Sequence, residues 1–182
     1  MMSLDPTIVA IACAATATIF LGSAALKFSQ PTEFRAAVES YRLVPEAMAV
    51  ALGWILPALE LAGAIGLVVA ATRGAAALVL LFLIAVFTGA IMLNLGRGRR
   101  DLDCGCFGPL LRQSLSGWLV ARNGLLALLV LAAFAPVDPR PQVSLDYLTI
   151  AAAATAVVIL YGAANYLLAT APKIAVLRTR HA

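Results

Sequence analysis

Residues 74–96 read GAAALVLLFLIAVFTGAIMLNLG, 23 positions without an acidic or basic side chain. A helix of roughly 20 apolar residues crosses the ~30 Å hydrocarbon core of a bilayer. This stretch is long enough to do so, and four further windows repeat it. Residues 6–26 and 147–172 carry no charge; 47–71 carry only Glu60, and 116–137 only Arg122. The whole 182-residue chain is 63% hydrophobic and 12% charged, with a mean hydropathy of +0.97. A soluble domain is about 25% charged, so this chain has too little polar material to cover a water-soluble globule. A soluble enzyme, a disordered protein and a stand-alone nucleic-acid binder are excluded.

The windows predict an all-α polytopic membrane helical bundle, a single integral membrane domain over 1–182. Helices are expected at about 6–27, 47–71, 74–95, 116–135 and 147–171, as a four-helix core plus a fifth C-terminal helix. Pro6 suits a first helical turn, Pro57 predicts an internal kink, and Ser116 is a candidate N-cap. The short Arg73-Gly74 turn makes its flanking helices antiparallel neighbours. Pro172 is expected to end the last helix. The first helix lacks the basic approach of a signal peptide and is expected to persist. Between Pro31 and Pro45, Phe34, Val38 and Tyr41 share one helical face opposite Glu33, Arg35, Glu39 and Arg42. That pattern fits a short amphipathic helix in the interface.

Lys and Arg mark the membrane sides. Assigned by sequence position, ten fall on the side holding the 28–46 segment, the 96–115 loop and the C-terminal tail. Lys27, Arg35 and Arg42 are among them. The other side holds two, Arg73 and Arg140. The positive-inside rule puts the ten in the cytoplasm and the N-terminus outside.

The chemistry concentrates in the 96–115 loop, at Asp103-Cys104-Gly105-Cys106-Phe107-Gly108-Pro109. Two cysteines one residue apart bond to each other only within a tight turn, which Gly105 permits. Such a ring is strained, and strain makes a disulfide labile. Arg99, Arg100 and Arg112 would favour a thiolate; Asp101 and Asp103 oppose it. Three readings stay open: a thiol–disulfide pair, two thiols kept reduced, and a soft-metal carrier. A closed zinc site is not expected, because four ligands are wanted and the single histidine, His181, lies next to the C-terminus. Cys13, in an Ala/Thr-rich helix, reads as packing. Glu60, Arg122 and Asn123 are polar groups at membrane depth, where they must face the bundle interior. They read either as ties between helices or as a polar pocket beneath the cysteines, joined by Asn94, that holds a quinone carbonyl or relays a proton.

The Cys104-Gly105-Cys106-Phe107-Gly108 run after a third membrane helix resembles the methylamine-utilisation MauE family, within the wider DoxX-like group. Lys27-Phe28, Pro31, Phe34, Tyr41 and Pro45 add to the resemblance, as do Pro57-Ala58-Leu59-Glu60 with Gly63 and Gly66, and Arg122-Asn123. The resemblance implies a component of a membrane thiol–disulfide system in the plasma membrane. Cys104 and Cys106 would be the working pair, and Glu60, Arg122 and Asn123 the helix positions beneath it. It further implies a thioredoxin-like, MauD-like partner and a disulfide-containing client. Disulfide delivery to exported proteins would want the cysteines outside, opposite to the charge count. A non-enzymatic scaffold for maturation of a partner protein remains the alternative.

Overall fold

The computed structural model describes residues 4–104, 113–138 and 140–180; beyond residue 170 only the helical backbone is described. Cys106, Arg112 and the Gly108-Pro109 turn lie outside the described residues. Six α-helices follow in order: α1 Pro6–Ser29, α2 Pro31–Ser40, α3 Glu46–Val68, α4 Arg73–Gly96, α5 Gly117–Leu131 and α6 Ser144–Arg180. A 3-10 turn, Ala132–Phe134, extends α5. Five helices are long and apolar enough to cross a membrane, α2 being the exception. The architecture is the expected all-α polytopic bundle.

Local sequence sets each boundary. Asp5 caps α1, its Oδ1 accepting the Thr7 N–H at 2.8 Å, and Pro6 occupies the first turn. Ser116 holds the N-cap position of α5, but its hydroxyl makes no capping bond. The 69–72 turn is tied by the Thr72 hydroxyl, which donates to the Gly66 carbonyl at 2.9 Å. It returns α4 antiparallel to α3. Gly63 and Gly66 allow the close approach of these two helices. A Cβ at Gly63 would lie 2.6 Å from Leu80 Cδ2, and one at Gly66 2.9 Å from the Ala76 methyl. Small side chains play the same part elsewhere: Ala15, Ala24, Ala49, Ala64 and Ala77 are fully buried.

α1 is the central helix. It packs most extensively on α3 and also against α6 and α5. Cys13 lies 3% exposed in the α1 core, as packing requires. α6 runs on to Arg180 instead of stopping near Pro172. An internal proline removes one backbone hydrogen bond, and α3 likewise continues through the buried Pro57.

α2 presents Phe34, Val38 and Tyr41 inward as its periodicity predicts. Phe34 enters the main core and Tyr41 a second cluster with Ile91, Leu115 and Leu119. The helix folds back over the end of α1 and packs on the first half of α3. That fold-back places the site.

Candidate functional site

Lys27 and Glu60 meet under α2. Lys27 Nζ donates to Glu60 Oε1 at 2.5 Å and to Ser23 Oγ at 2.9 Å. Ser23 in turn donates to Glu60 Oε2 at 3.2 Å. Lys27 is 4% exposed and Glu60 1%. The ammonium also sits over the rings of Phe34 at 5.1 Å and Phe87 at 4.9 Å, a favourable cation–π arrangement. Lys27 is therefore not a loop charge. It lies inside α1, and its partner in α3 accounts for its burial. The basic side consequently carries nine loop and tail charges, not ten.

Arg122, one and a half turns into α5, builds the second half of the site. Its Nε and Nη2 donate to Asn123 Oδ1 at 3.3 and 3.0 Å. Nη1 donates to Asn165 Oδ1 at 2.8 Å and to Gln113 Oε1 at 3.3 Å. Nη2 also reaches Cys104 Sγ at 3.9 Å. A guanidinium offers five N–H donors in a fixed fork, and among the described residues these contacts engage all three of its nitrogens. The plane lies over the Tyr161 ring, 6.0 Å from its centre. Asn123 Nδ2 donates to Thr88 Oγ1 at 3.0 Å, tying α5 to α4. Arg122 is 9% exposed, Asn123 5%, Gln113 3% and Asn165 1%.

The loop cysteine is held to this network by backbone as well. Cys104 N–H donates to the Gln113 carbonyl at 3.0 Å, and Asp103 pairs with Ser114 in an antiparallel bridge. Tyr41 OH donates to the Cys104 carbonyl at 3.4 Å. Cys104 also borders an apolar cleft of about 100 Å³ walled by Phe34, Leu56, Phe87 and Ala90.

The two halves line one cavity of about 40 Å³, shared by Ser23, Lys27, Glu60, Arg122, Asn123 and Tyr161. A water needs roughly 10–15 Å³ of such space and two to four polar partners. The cavity is walled mostly by apolar side chains, with these polar groups on its border; it is roomy enough for water and small for an aromatic ring.

The structure thus sets Glu60, Arg122 and Asn123 around one cavity, with Glu60 bonded to Lys27 and Cys104 in contact with Arg122. Asn94 stands apart from that cavity. It is fully buried, donating to the Ala90 carbonyl at 3.0 Å and accepting from Arg99 at 3.1 Å. Arg99 is not aimed at the thiol. It caps the end of α2, donating to the Ser40 and Tyr41 carbonyls at 2.8 and 3.3 Å.

Sequence reasoning missed Lys27 as a buried partner, and missed Ser23, Thr88, Gln113 and Asn165 altogether. An Asn inside an otherwise apolar helix was the available signal for Asn165. Among the described residues, no group of three or more His, Cys, Asp or Glu side chains could hold a metal ion.

These features define a polytopic all-α membrane protein with an internal polar cluster set against a loop cysteine. The chain belongs to the MauE family: the family model described as methylamine utilisation protein MauE matches residues 5–136. Three relatives carry the name methylamine utilization protein MauE. The Methylorubrum extorquens protein is 38% identical over 148 residues, 80% of this chain and 80% of its own length. The Paracoccus versutus protein is 37% identical over 152 residues, 83% and 82% of the two chains. The Paracoccus denitrificans protein is 38% identical over 116 residues, 64% of this chain and 62% of its own length. No solved structure matches the chain.

Proposed function

We propose that this is a plasma-membrane thiol–disulfide redox protein whose working cysteines are Cys104 and Cys106, serving protein maturation in methylamine utilisation. The observation that carries the reading is Arg122 Nη2 at 3.9 Å from Cys104 Sγ. A guanidinium beside a thiol favours the thiolate, which is the nucleophile in disulfide exchange. Cys104 is half-buried, and it sits two residues from a second cysteine.

A thiolate at Cys104 attacks a partner disulfide, forming a mixed disulfide and releasing one partner thiolate. The Cys106 thiolate then attacks Cys104 Sγ, closing the Cys104–Cys106 disulfide and releasing the second partner thiolate. The partner is reduced by two electrons and this chain oxidised by two. The reverse direction delivers a disulfide. A thioredoxin-like, MauD-like protein supplies one couple and a disulfide-containing client the other. The proposed route runs from thiol to thiol, and a quinone serving as the second couple would bind elsewhere than in the water-sized cavity.

Substituting Cys106→Ala should leave Cys104 covalently linked to its partner, as a band that dithiothreitol releases. A double Cys104→Ser, Cys106→Ser variant present at normal level should abolish client disulfide formation. Full function in that variant would favour the scaffold reading. Orientation has its own test. Under the positive-inside rule, nine basic residues against two favour a cytoplasmic cysteine side. Ser29, Ser114 and Ser144 are all exposed, so each accepts a reporter cysteine in a Cys13→Ala, Cys104→Ser, Cys106→Ser background. With an impermeant maleimide on intact spheroplasts, Ser144→Cys should label, and Ser29→Cys and Ser114→Cys only after lysis. The reverse pattern would place the thiols outside and make disulfide donation to exported proteins the direction of exchange.

A further inference from the structure

We propose that Asn165 of α6 is a positioning residue that aims the Arg122 guanidinium at the Cys104 sulfur. The inference rests on the thiol reading above and extends it to a helix beyond residue 136, where the family match ends.

α6 otherwise looks like an accessory helix, since most of its span is not buried by the rest of the protein. Ala154, Asn165 and Ala169 are the buried positions among its described side chains, and Asn165, at 1% exposed, is the polar one. A buried amide is costly in hydrocarbon unless its polar atoms are satisfied. Here both ends are. Nδ2 donates to the Tyr161 carbonyl at 2.7 Å. That bond fixes the amide orientation and turns Oδ1 toward Arg122, at 2.8 Å from Nη1. Of the contacts described for the guanidinium, this one is the shortest. Gln113 Nε2 donates to the Asn165 carbonyl at 2.7 Å, and the Gln113 carbonyl accepts the Cys104 N–H. Asn165 is thereby linked to both Arg122 and the backbone of the cysteine. Tyr161, one turn earlier on the same face, lies beneath the guanidinium.

The geometry divides the labour. Asn123 fixes one edge of the guanidinium through Nε and Nη2, and Asn165 with Gln113 fixes the other through Nη1. Held on both edges, the guanidinium places Nη2 3.9 Å from Sγ. Amide oxygens are suited to this, because they orient the group without neutralising its charge. Without Asn165 the long arginine chain is free to swing and snorkel toward the interface.

The test uses reduced full-length protein in lipid nanodiscs. Iodoacetamide alkylation at Cys104 is followed from about pH 6 to pH 10, resolved from Cys13 and Cys106 by fragment mass spectrometry. Asn165→Leu should slow alkylation at neutral pH by about three- to tenfold and move the midpoint up, leaving the high-pH plateau unchanged. Gln113→Met should shift it in the same direction by less, and Arg122→Gln by more. Asn165→Asp should restore thermal stability, because it keeps a partner for Arg122. It should not restore the alkylation rate, because its charge offsets the guanidinium. If Asn165→Leu superimposes on wild type while Arg122→Gln shifts, the proposal is overturned and the thiol reading stands. If Arg122→Gln does not shift either, both fall. Recovery of stability and rate together in Asn165→Asp would make Asn165 a plain helix tie and overturn the proposal. Should Asn165→Leu not assemble, Gln113→Met and Asn165→Asp decide the matter.

Discussion

Two arginines sit at opposite ends of the bundle, and their partners differ in kind. Arg140 lies in the loop before α6, clamped by carboxylates. It donates to Asp5 Oδ2 at 2.9 Å and to Asp146 Oδ2 at 2.8 Å, with further bonds to Thr7 and both carboxylates. This clasp joins the start of α1 to the start of α6. The neighbouring backbone is joined too, Leu4 N–H donating to the Pro136 carbonyl at 2.8 Å. Arg122, by contrast, is gripped by the amide oxygens of Asn123, Gln113 and Asn165 and reaches a thiol. Carboxylates neutralise the cation they hold, whereas amides only orient it. One arginine is a fastening; the other is a charge brought to a sulfur.

The Lys27–Glu60 pair lies between these cases, a carboxylate clamp in a buried setting, and the largest effect is expected there. Glu60→Leu leaves a buried ammonium without its carboxylate, a defect that costs about 3–5 kcal/mol when one partner of such a pair is removed. Thermal unfolding in detergent should show it as a large fall in Tm or as loss of folded protein. The double variant Lys27→Met, Glu60→Leu should recover most of the loss, since the isolated charge is gone. If both variants unfold alike, the damage comes from side-chain shape and not from charge.

The next effect in size separates the two arginines directly. Arg122→Gln should lower the rate of disulfide exchange at neutral pH by about three- to tenfold, because less of the thiol is then thiolate. Arg140→Gln should leave that rate unchanged. Equal losses in the two variants would erase the distinction between them.

The smallest effect belongs to the surface clasp. Arg140 holds the Asp5 carboxyl down at about 2 from its ordinary 3.8, through its hydrogen bond first and the Thr7 N–H second. A depressed carboxyl contributes its stability above the unfolded value and loses it as pH falls through the folded one. The N-terminal turn of α1 should therefore stay protected from amide exchange down to about pH 4 and open toward about pH 2. Asp5→Asn should weaken that pH dependence, the rest coming from Asp146 of the same clasp, with little change in Tm, because exposed ion pairs contribute little.

The fold was legible because lipid-crossing helices announce themselves by the absence of charge. Each charge-free window became a helix, and the inward face of α2 followed from the spacing of Phe34, Val38 and Tyr41. Lys27 was misread because a charge near a helix end is assigned to the loop by position alone. Only the fold-back of α2 shows that the end of α1 is covered, and that arrangement is tertiary. Arg122 and Asn123 were legible as polar groups at membrane depth. Their partners were not, since Gln113 comes from a loop and Asn165 lies 43 residues beyond Arg122 on another helix. Nor did proximity in sequence identify the cation at the thiol. Arg99, five residues from Cys104, is spent on carbonyls at the end of α2, while Arg122, eighteen residues away, reaches the sulfur.

The central claim is that Cys104 and Cys106 cycle between dithiol and disulfide. Native membranes are quenched in acid and alkylated. They are then reduced with dithiothreitol and alkylated with a second, heavier reagent, and the 101–112 peptide is read by mass. Both cysteines should carry the heavy label in an oxidised fraction; this fraction should disappear on brief reduction and return when the reductant is removed in the presence of the partner. Two cysteines that carry only the first label under every condition would contradict it.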